Sequence, residues 1–214
     1  MWFPGLTSLA VAMAFLIALS QVAVPGLASV AAGGNIDGKV VGWSGSVPSQ
    51  QHPVVVWLEG IPAETASKIE PVMTQRGGQF VPPFLVVVAG QTVSMPNEDE
   101  VAHNVYSLSA ARQFNLGYYA KGDRKTVTFD RPGMVEVLCL LHTFMRAKIL
   151  VVPGPYYAMV AADGTFHIRN VPAGKFTLIF WRDGMASFSR EVIVSDGGKP
   201  VALQVSWPST PSRK

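Results

Sequence analysis

Cys139-Leu140-Leu141-His142-Thr143-Phe144-Met145 separates two apolar segments of a chain of 214 residues. Cys139 is the only cysteine, so an internal disulfide cannot account for it. A second histidine, His103, lies upstream of this run. A thiolate, two imidazoles and a thioether together form a donor set that suits a soft transition metal, and copper above all. The sequence therefore predicts a mononuclear metal site with the candidate ligands His103, Cys139, His142 and Met145.

Short apolar or alternating segments, punctuated by Gly and Pro, predict an all-β protein. Strands are expected on both sides of the candidate loop, at residues 134–139 and 147–152, and another is expected to open at His103. Further strands are expected at residues 35–42, 53–59, 84–89, 92–95 and 125–129, with one short helix at residues 64–68. This order places three candidate ligands on one tight loop at an end of a sheet, and His103 can approach from the facing side. The side chain of Asn104 is expected to tie two loops together and so to orient the ligands.

The ligand loop from Cys139 to Val152 resembles that of the cupredoxins, the blue-copper family, and is most similar to the amicyanin type in its Cys-x-x-His-x-x-Met spacing. His103-Asn104-Val105 is similar to the upstream His-Asn-Val of the same family. The resemblance covers residues 68–153 and implies a Greek-key β-sandwich that binds one copper ion through the four candidate ligands. Leu141 and Thr143 stand where such loops usually carry prolines, which predicts a different tuning of the site.

The flanking segments predict a second module. The stretch from Gly164 to Leu178 resembles the carboxypeptidase-regulatory type of β-sandwich, and Ile36-Asp37-Gly38-Lys39-Val40 fits the first strand of that type. We therefore expect residues 35–60 and 154–207 to form an outer β-sandwich, with the copper domain of residues 61–153 inserted between them. The alternative is a single sandwich extended by extra strands. Residues 208–214 are expected to be disordered.

The N-terminus predicts export. Residues 1–36 contain no Asp, Glu, Lys or Arg, and residues 6–19 are almost continuously apolar. Residues 1–31 therefore resemble a secretory signal peptide, which predicts a periplasmic protein. An uncleaved membrane anchor is the alternative, because the apolar stretch is long enough to span a bilayer.

These features predict an electron carrier and not an enzyme. The alternative function is a copper-binding module for storage, delivery or structure, with the outer sandwich as its interaction domain. A monomer with transient redox partners is expected, docking through apolar residues around a partly exposed His142, namely Leu141, Phe144 and Met95. The net charge is only +3 and the basic residues are scattered along the chain, so nucleic acid is not an expected partner.

Other readings of these residues are less well supported. A buried free thiol, or a Cys–His nucleophile, is an alternative for Cys139, although a nucleophile needs an orienting base and an oxyanion hole. A hard-cation site is an alternative for Glu98, Asp99 and Glu100, which are expected to form a solvated loop. His52 and His167 have no partner at ligand spacing and are expected to be ordinary surface histidines.

Overall fold

The computed structural model describes Met1 and residues 33–42, 48–61 and 70–208. The predicted signal peptide beyond Met1, the predicted helix at residues 64–68 and the predicted tail from residue 209 onward lie outside the described residues. Ala31–Lys214 forms one compact unit. Among the residues that the structure describes, no helix is long and apolar enough to cross a membrane.

Regular structure in the described ranges consists of strands. In chain order these are β1 (Gly34–Val41), β2 (Val54–Glu59), β3 (Thr74–Gln75), β4 (Phe80–Val81), β5 (Phe84–Val88), β6 (Gln91–Pro96), β7 (His103–Ser109), β8 (Arg112–Tyr119), β9 (Arg124–Phe129), β10 (Gly133–Leu138), β11 (Arg146–Val152), β12 (Tyr157–Met159), β13 (Thr165–Val171), β14 (Gly174–Arg182), β15 (Phe188–Val194) and β16 (Val201–Ser206). The prediction of an all-β protein is confirmed.

Strands from the two ends of the described chain meet in the same sheets. One sheet has the order β13-β1-β16 and a second has the order β12-β2-β14-β15. Their facing side chains form one apolar core, which includes Ile36, Phe166, Leu178 and Phe180. Alternation along β1 explains this burial, since Ile36, Gly38 and Val40 point inward while Asp37 and Lys39 are more exposed. The domain boundaries given above stay a prediction.

The middle of the chain forms a second sandwich. Its main sheet has the order β5-β11-β10-β7-β8, and the pair β6-β9 and the hairpin β3-β4 complete it. A second core holds Val93, Phe129, Val137 and Ile149 together with Cys139. Because β10 and β7 are neighbours in the main sheet, the loop after β10 and the start of β7 lie at the same end of this sandwich. The predicted β-sandwich is thereby confirmed.

A third apolar cluster lies between the two sandwiches. Val55 of β2 packs there with Phe84 of β5 and Leu150 of β11, and Trp181 stacks on Phe84 with ring centroids 5.9 Å apart. The neighbours of Val55 and Leu150 in sequence belong to the other two cores, so β2 and β11 are buried on both faces. Strands of this kind carry nearly continuous apolar runs, as the valines of β2 and β5 do.

Strand β8 was not among the predicted strands. Phe114 and Leu116 alternate correctly, but Gly117, with a φ of 66°, interrupts the pattern before Tyr118 and Tyr119. β8 is also an edge strand, so its outward residues are polar or exposed. Its pairing with β7 places Tyr119 directly opposite His103.

Candidate metal centre

The candidate loop is short and closed by strand pairing. Leu138, the last residue of β10, is paired with Arg146, the first residue of β11, so the whole predicted motif lies in the turn between them. Within that turn, the backbone N–H of Met145 donates a hydrogen bond of 2.8 Å to the carbonyl of His142. His103 is the first residue of β7. Rigid strands therefore hold both sides of the candidate site.

Three donor atoms converge at this end of the sandwich. The Nδ1 atoms of His103 and His142 lie 3.1 Å apart, and Cys139 Sγ lies 4.0 Å from the first and 3.8 Å from the second. Bonds of about 2.0–2.3 Å to a shared ion at trigonal angles place such donors about 3.5–3.7 Å apart. The cluster of His103, Cys139 and His142 is thus compact enough to hold one metal ion.

Burial differs among the three residues. His103 and Cys139 are buried, whereas His142 is only partly buried. The two imidazoles meet edge to face, with centroids 4.9 Å apart, and the His142 ring lies 5.7 Å from that of Phe144. Water is excluded from the thiol side of the cluster, and the edge of His142 faces the surface.

Met145 is fully buried in the core that also contains Cys139. Met73 and Met95 are fully buried in the same core. The core that contains Cys139 therefore holds three thioethers, of which Met145 alone belongs to the ligand loop.

Asp99 belongs to the candidate site, and sequence reasoning did not place it there. Its Oδ2 lies 2.9 Å from Nε2 of His103, four residues away, and the backbone N–H groups of Gly77 and Gly78 donate hydrogen bonds to its two oxygens at 2.5 and 2.9 Å. Partial burial raises the pKa of Asp99, but these hydrogen bonds from Gly78, His103 and Gly77 outweigh it and leave the pKa below its usual value. The expectation that residues 98–100 form a merely solvated loop is wrong for Asp99.

This contact determines which nitrogen of His103 is free. An ionised carboxylate only accepts hydrogen bonds, so Nε2 of His103 carries the hydrogen and Nδ1 is the ring nitrogen that can present a lone pair to a metal. That lone pair points toward Cys139 and His142. The spacing of four residues between an acid and a candidate histidine ligand was the signal in the sequence, because metal-bound histidines usually donate their other N–H to a carboxylate or carbonyl.

Asn104 does not make the predicted connection between the ligand loops. Its Nδ2 donates a 2.8 Å hydrogen bond to Oδ1 of Asn115, which also accepts the N–H of Gly117 at 2.9 Å. Asn104 Oδ1 is buried and has no hydrogen-bond partner among the described residues. The side chain therefore fixes the irregular part of β8 beside β7.

An apolar surface surrounds the exposed edge of His142. We call Leu140, Leu141 and Phe144 the apolar patch; these side chains are 50%, 52% and 70% exposed. Met95, which was expected to belong to this patch, is buried in the core because it points inward from β6. That part of the prediction is wrong.

The remaining candidates form no comparable cluster. Among the described residues, His103, Cys139 and His142 are the one group of metal-ligating side chains that meets the distance requirement. His167 pairs with Asp37 at 2.7 Å on the outer sandwich, and His52 is exposed. Two exposed basic side chains, Arg76 and Lys121, are paired with Glu98 and Glu100, the acidic neighbours of Asp99.

No protein-family model matches the chain, and no curated protein matches it either. Solved structures of amicyanin are similar to part of it. A Cu(I) form of an amicyanin mutant is 21% identical with a TM-score of 0.37, covering 45% of this chain and 98% of the other. A reduced mutant is 24% identical with a TM-score of 0.38, covering 50% and 97%, and an oxidised mutant is 22% identical with a TM-score of 0.38, covering 45% and 98%.

The class of protein follows from the molecule itself. A β-sandwich that brings His, Cys and His together at one end, with the Cys and second His on a single interstrand loop, is cupredoxin-like. The resemblance drawn from the sequence is confirmed at this level.

Proposed function

We propose that this chain binds one copper ion through His103, Cys139 and His142, with Met145 as a weak fourth ligand, and that it carries single electrons between redox proteins. The observation that supports this proposal is the convergence of two imidazole nitrogens and one thiol sulfur within 4.0 Å of one another. Two histidines and one cysteine are the donor set of blue-copper electron-transfer sites.

The chain's own residues supply what electron transfer requires. A bound copper ion would provide the one-electron Cu(I)/Cu(II) couple at this position. Asp99 holds His103 in the tautomer that leaves Nδ1 free, and the pairing of β10 with β11 closes the loop that carries Cys139 and His142. Ligands fixed in this way change position little between oxidation states, which keeps the reorganisation small. Burial of Cys139 excludes water from the sulfur.

The apolar patch is the proposed docking surface for redox partners. It surrounds the exposed edge of His142, so a partner seated there approaches the metal site closely. Encounters between electron-transfer proteins are small and short-lived, which suits three exposed apolar side chains on a monomer.

Export to the periplasm completes the proposal. A single cysteine committed to a metal ligand is protected there from unwanted disulfide chemistry, because coordination occupies the thiolate. Mass spectrometry of the protein recovered from a periplasmic fraction tests both parts of this statement. The expected mass corresponds to cleavage after Ala28 or Ala31, and a full-length mass in the membrane fraction would favour the uncleaved anchor.

An optical spectrum tests the function most directly. Purified protein with one equivalent of Cu(II) is expected to show an intense blue thiolate-to-copper band that ascorbate bleaches and an oxidant restores. Cys139→Ser should lack the band. A protein that binds copper but stays colourless and cannot be cycled would contradict the electron carrier and support the non-redox copper-binding alternative.

A further inference from the structure

The hairpin of β3 and β4 holds the carboxylate of Asp99. Its turn is Arg76-Gly77-Gly78-Gln79, closed by backbone hydrogen bonds of 2.9 and 3.2 Å between Arg76 and Gln79. Gly77 and Gly78 have φ values of 63° and 68°, the two positive values that a type I′ hairpin turn requires. In this conformation both glycine N–H groups point at Asp99, one toward each carboxylate oxygen.

Buried polar groups anchor this hairpin to the sandwich. The Gln75 side chain is fully buried, and its Nε2 donates hydrogen bonds to the hydroxyl of Tyr119 and, at 3.3 Å, to the carbonyl of Pro96. The Tyr119 hydroxyl in turn donates to the carbonyl of Met95 at 2.9 Å. The main chain adds a further link, because Glu98 N–H donates to the carbonyl of Gln75 at 2.9 Å.

The same network reaches the strand that carries His103. Tyr119 is paired with His103 in the ladder of β7 and β8. The side chain of Asn97, buried in the preceding loop, donates hydrogen bonds to the carbonyls of Val101 and Tyr119 at 2.9 and 3.1 Å. The hairpin, the loop of Asp99 and the start of β7 are therefore fixed relative to one another by buried hydrogen bonds.

We infer that the β3–β4 hairpin positions the metal site: the Gly77–Gly78 turn, anchored by Gln75, fixes the Asp99 carboxylate, and Asp99 in turn aims His103 at Cys139. The inference rests on the proposed function only in that His103 is a metal ligand. A carboxylate held by two charge-assisted hydrogen bonds from a rigid turn has lost its freedom to rotate. The orientation of His103 is then determined before a metal binds.

Gly77 offers a sharp test of this inference. A Cβ at position 77 meets no atom within 4 Å, so Gly77→Ala acts through its backbone conformation and not through a clash. Gly90 is a matched control: it has a φ of 90°, also has open space around its Cβ, and lies at the far end of β6 from the site. Gly77→Asn is the conservative rescue, because Asn tolerates positive φ better than Ala does.

Two measurements separate positioning from a general loss of stability. In the metal-free protein, the NMR signal of the His103 Nε2 hydrogen reports its hydrogen bond to Asp99. In the copper-loaded protein, transfer of copper to a chelator reports how firmly the ligands hold the ion. Gly77→Ala is expected to broaden the NMR signal and to speed copper transfer about 10-fold, the lower end of the effect usual for losing such an outer partner. The rate of copper transfer from Gly90→Ala and from Gly77→Asn is expected to stay within about 2-fold of the wild-type rate.

A second variant tests the anchor. Gln75→Met keeps the buried volume but removes the donor to Tyr119 and Pro96, and it is expected to reproduce both effects of Gly77→Ala. The inference is overturned if Gly77→Ala and Gln75→Met match Gly90→Ala in both measurements. If the wild type binds no copper, the proposed function fails, and the NMR comparison in the metal-free protein still decides whether the hairpin orients His103.

Discussion

Asp99 and His103 are four residues apart, and Oδ2 of the aspartate lies 2.9 Å from Nε2 of the histidine. The contact joins the loop after β6 to the first residue of β7. It uses the ring nitrogen that faces away from Cys139, so it leaves the other nitrogen available as a ligand. One carboxylate thereby links the fold of the loop to the chemistry of the candidate metal site.

Replacing Asp99 should weaken metal binding in a graded way. Asp99→Ala removes the partner of His103 Nε2 and is expected to lower copper affinity by about 10- to 100-fold. Asp99→Asn keeps one acceptor oxygen and should therefore lose less copper affinity than Asp99→Ala. A competition titration against a chelator measures both, with Glu100→Ala as the control, because Glu100 is an exposed neighbour whose contact is to Lys121. Equal affinities for the alanine variants at positions 99 and 100 would argue against this role.

The three buried methionines allow a direct test of the fourth ligand. Met145→Leu is expected to raise the reduction potential, because Cu(II) gains more than Cu(I) from an additional donor, so loss of the weak thioether ligand destabilises the oxidised form more. Met73→Leu and Met95→Leu are matched controls, since both side chains are equally buried in the same core. Voltammetry of the copper-loaded variants makes the comparison. A larger shift for either control than for Met145→Leu would assign the fourth position to another sulfur.

The apolar patch should govern electron exchange between copies of the protein. Phe144 is 70% exposed, so Phe144→Glu should leave the fold intact while it adds like charges to two patches that meet face to face. The self-exchange rate, measured by NMR line broadening in mixtures of both oxidation states, is expected to fall about 10-fold at low salt, since exposed charges are unscreened there. The rate should recover partly in 1 M salt, where the Debye length is about 3 Å.

Leu108→Glu is the control for this prediction. Leu108 is as exposed as Phe144 but lies at the other end of β7 from His103. Its substitution should leave the self-exchange rate unchanged. A similar slowing by both variants would show that overall charge, and not the patch, limits the reaction.

The candidate metal ligands could be predicted from the sequence more completely than the residues that surround them. The spacing of Cys139, His142 and Met145 is local and lies between two apolar runs, so both the loop and its neighbours were readable. Asp99 is held by a hairpin more than twenty residues upstream, and no local pattern connects Gly77 and Gly78 to it. Met95 was misplaced for a related reason: alternation predicts two faces for β6 but does not say which face is the interior.

The burial of β2 and β11 on both faces could not be predicted from the sequence either. A run such as Val54-Val55-Val56 in β2 predicts a buried strand, yet it does not identify what lies on each side. Only the pairing of distant segments shows that Val55 faces the second sandwich while Val54 and Val56 face the first. Strand β8 was missed because Gly117 breaks the alternation that identifies other strands.

Ionisation of Tyr119 should lower the free energy of unfolding at high pH. Burial raises the pKa of Tyr119 to about 12 from 10.0, the hydrogen bond from Gln75 opposes this, and the nearby Cys139 adds to it. Because the folded-state pKa lies above the unfolded value, the contribution of the protonated Tyr119 hydroxyl to the free energy of unfolding is complete below pH 10. It is lost as pH rises toward 12. The loss should reach about 2 kcal/mol at pH 11.5. Urea unfolding at pH 9 and 11.5 measures it, and Tyr119→Phe should lack this component. Parallel declines in the two proteins would contradict the assignment.

The cluster between the sandwiches should make them unfold together. Phe84, the first residue of β5, is buried against the outer sandwich, where it stacks on Trp181. Phe84→Ala removes an aromatic side chain from this interface and is expected to cost about 3 kcal/mol. The described tryptophans, Trp57, Trp181 and Trp207, all lie on strands of the outer sandwich or just after them. With Trp2 and Trp43 replaced by Phe, fluorescence reports that part while the copper band reports the other. The wild type should show coincident transitions in urea, and Phe84→Ala should shift both to lower urea. If the fluorescence transition moved while the copper band kept its midpoint, the two sandwiches would unfold independently, which would contradict the prediction.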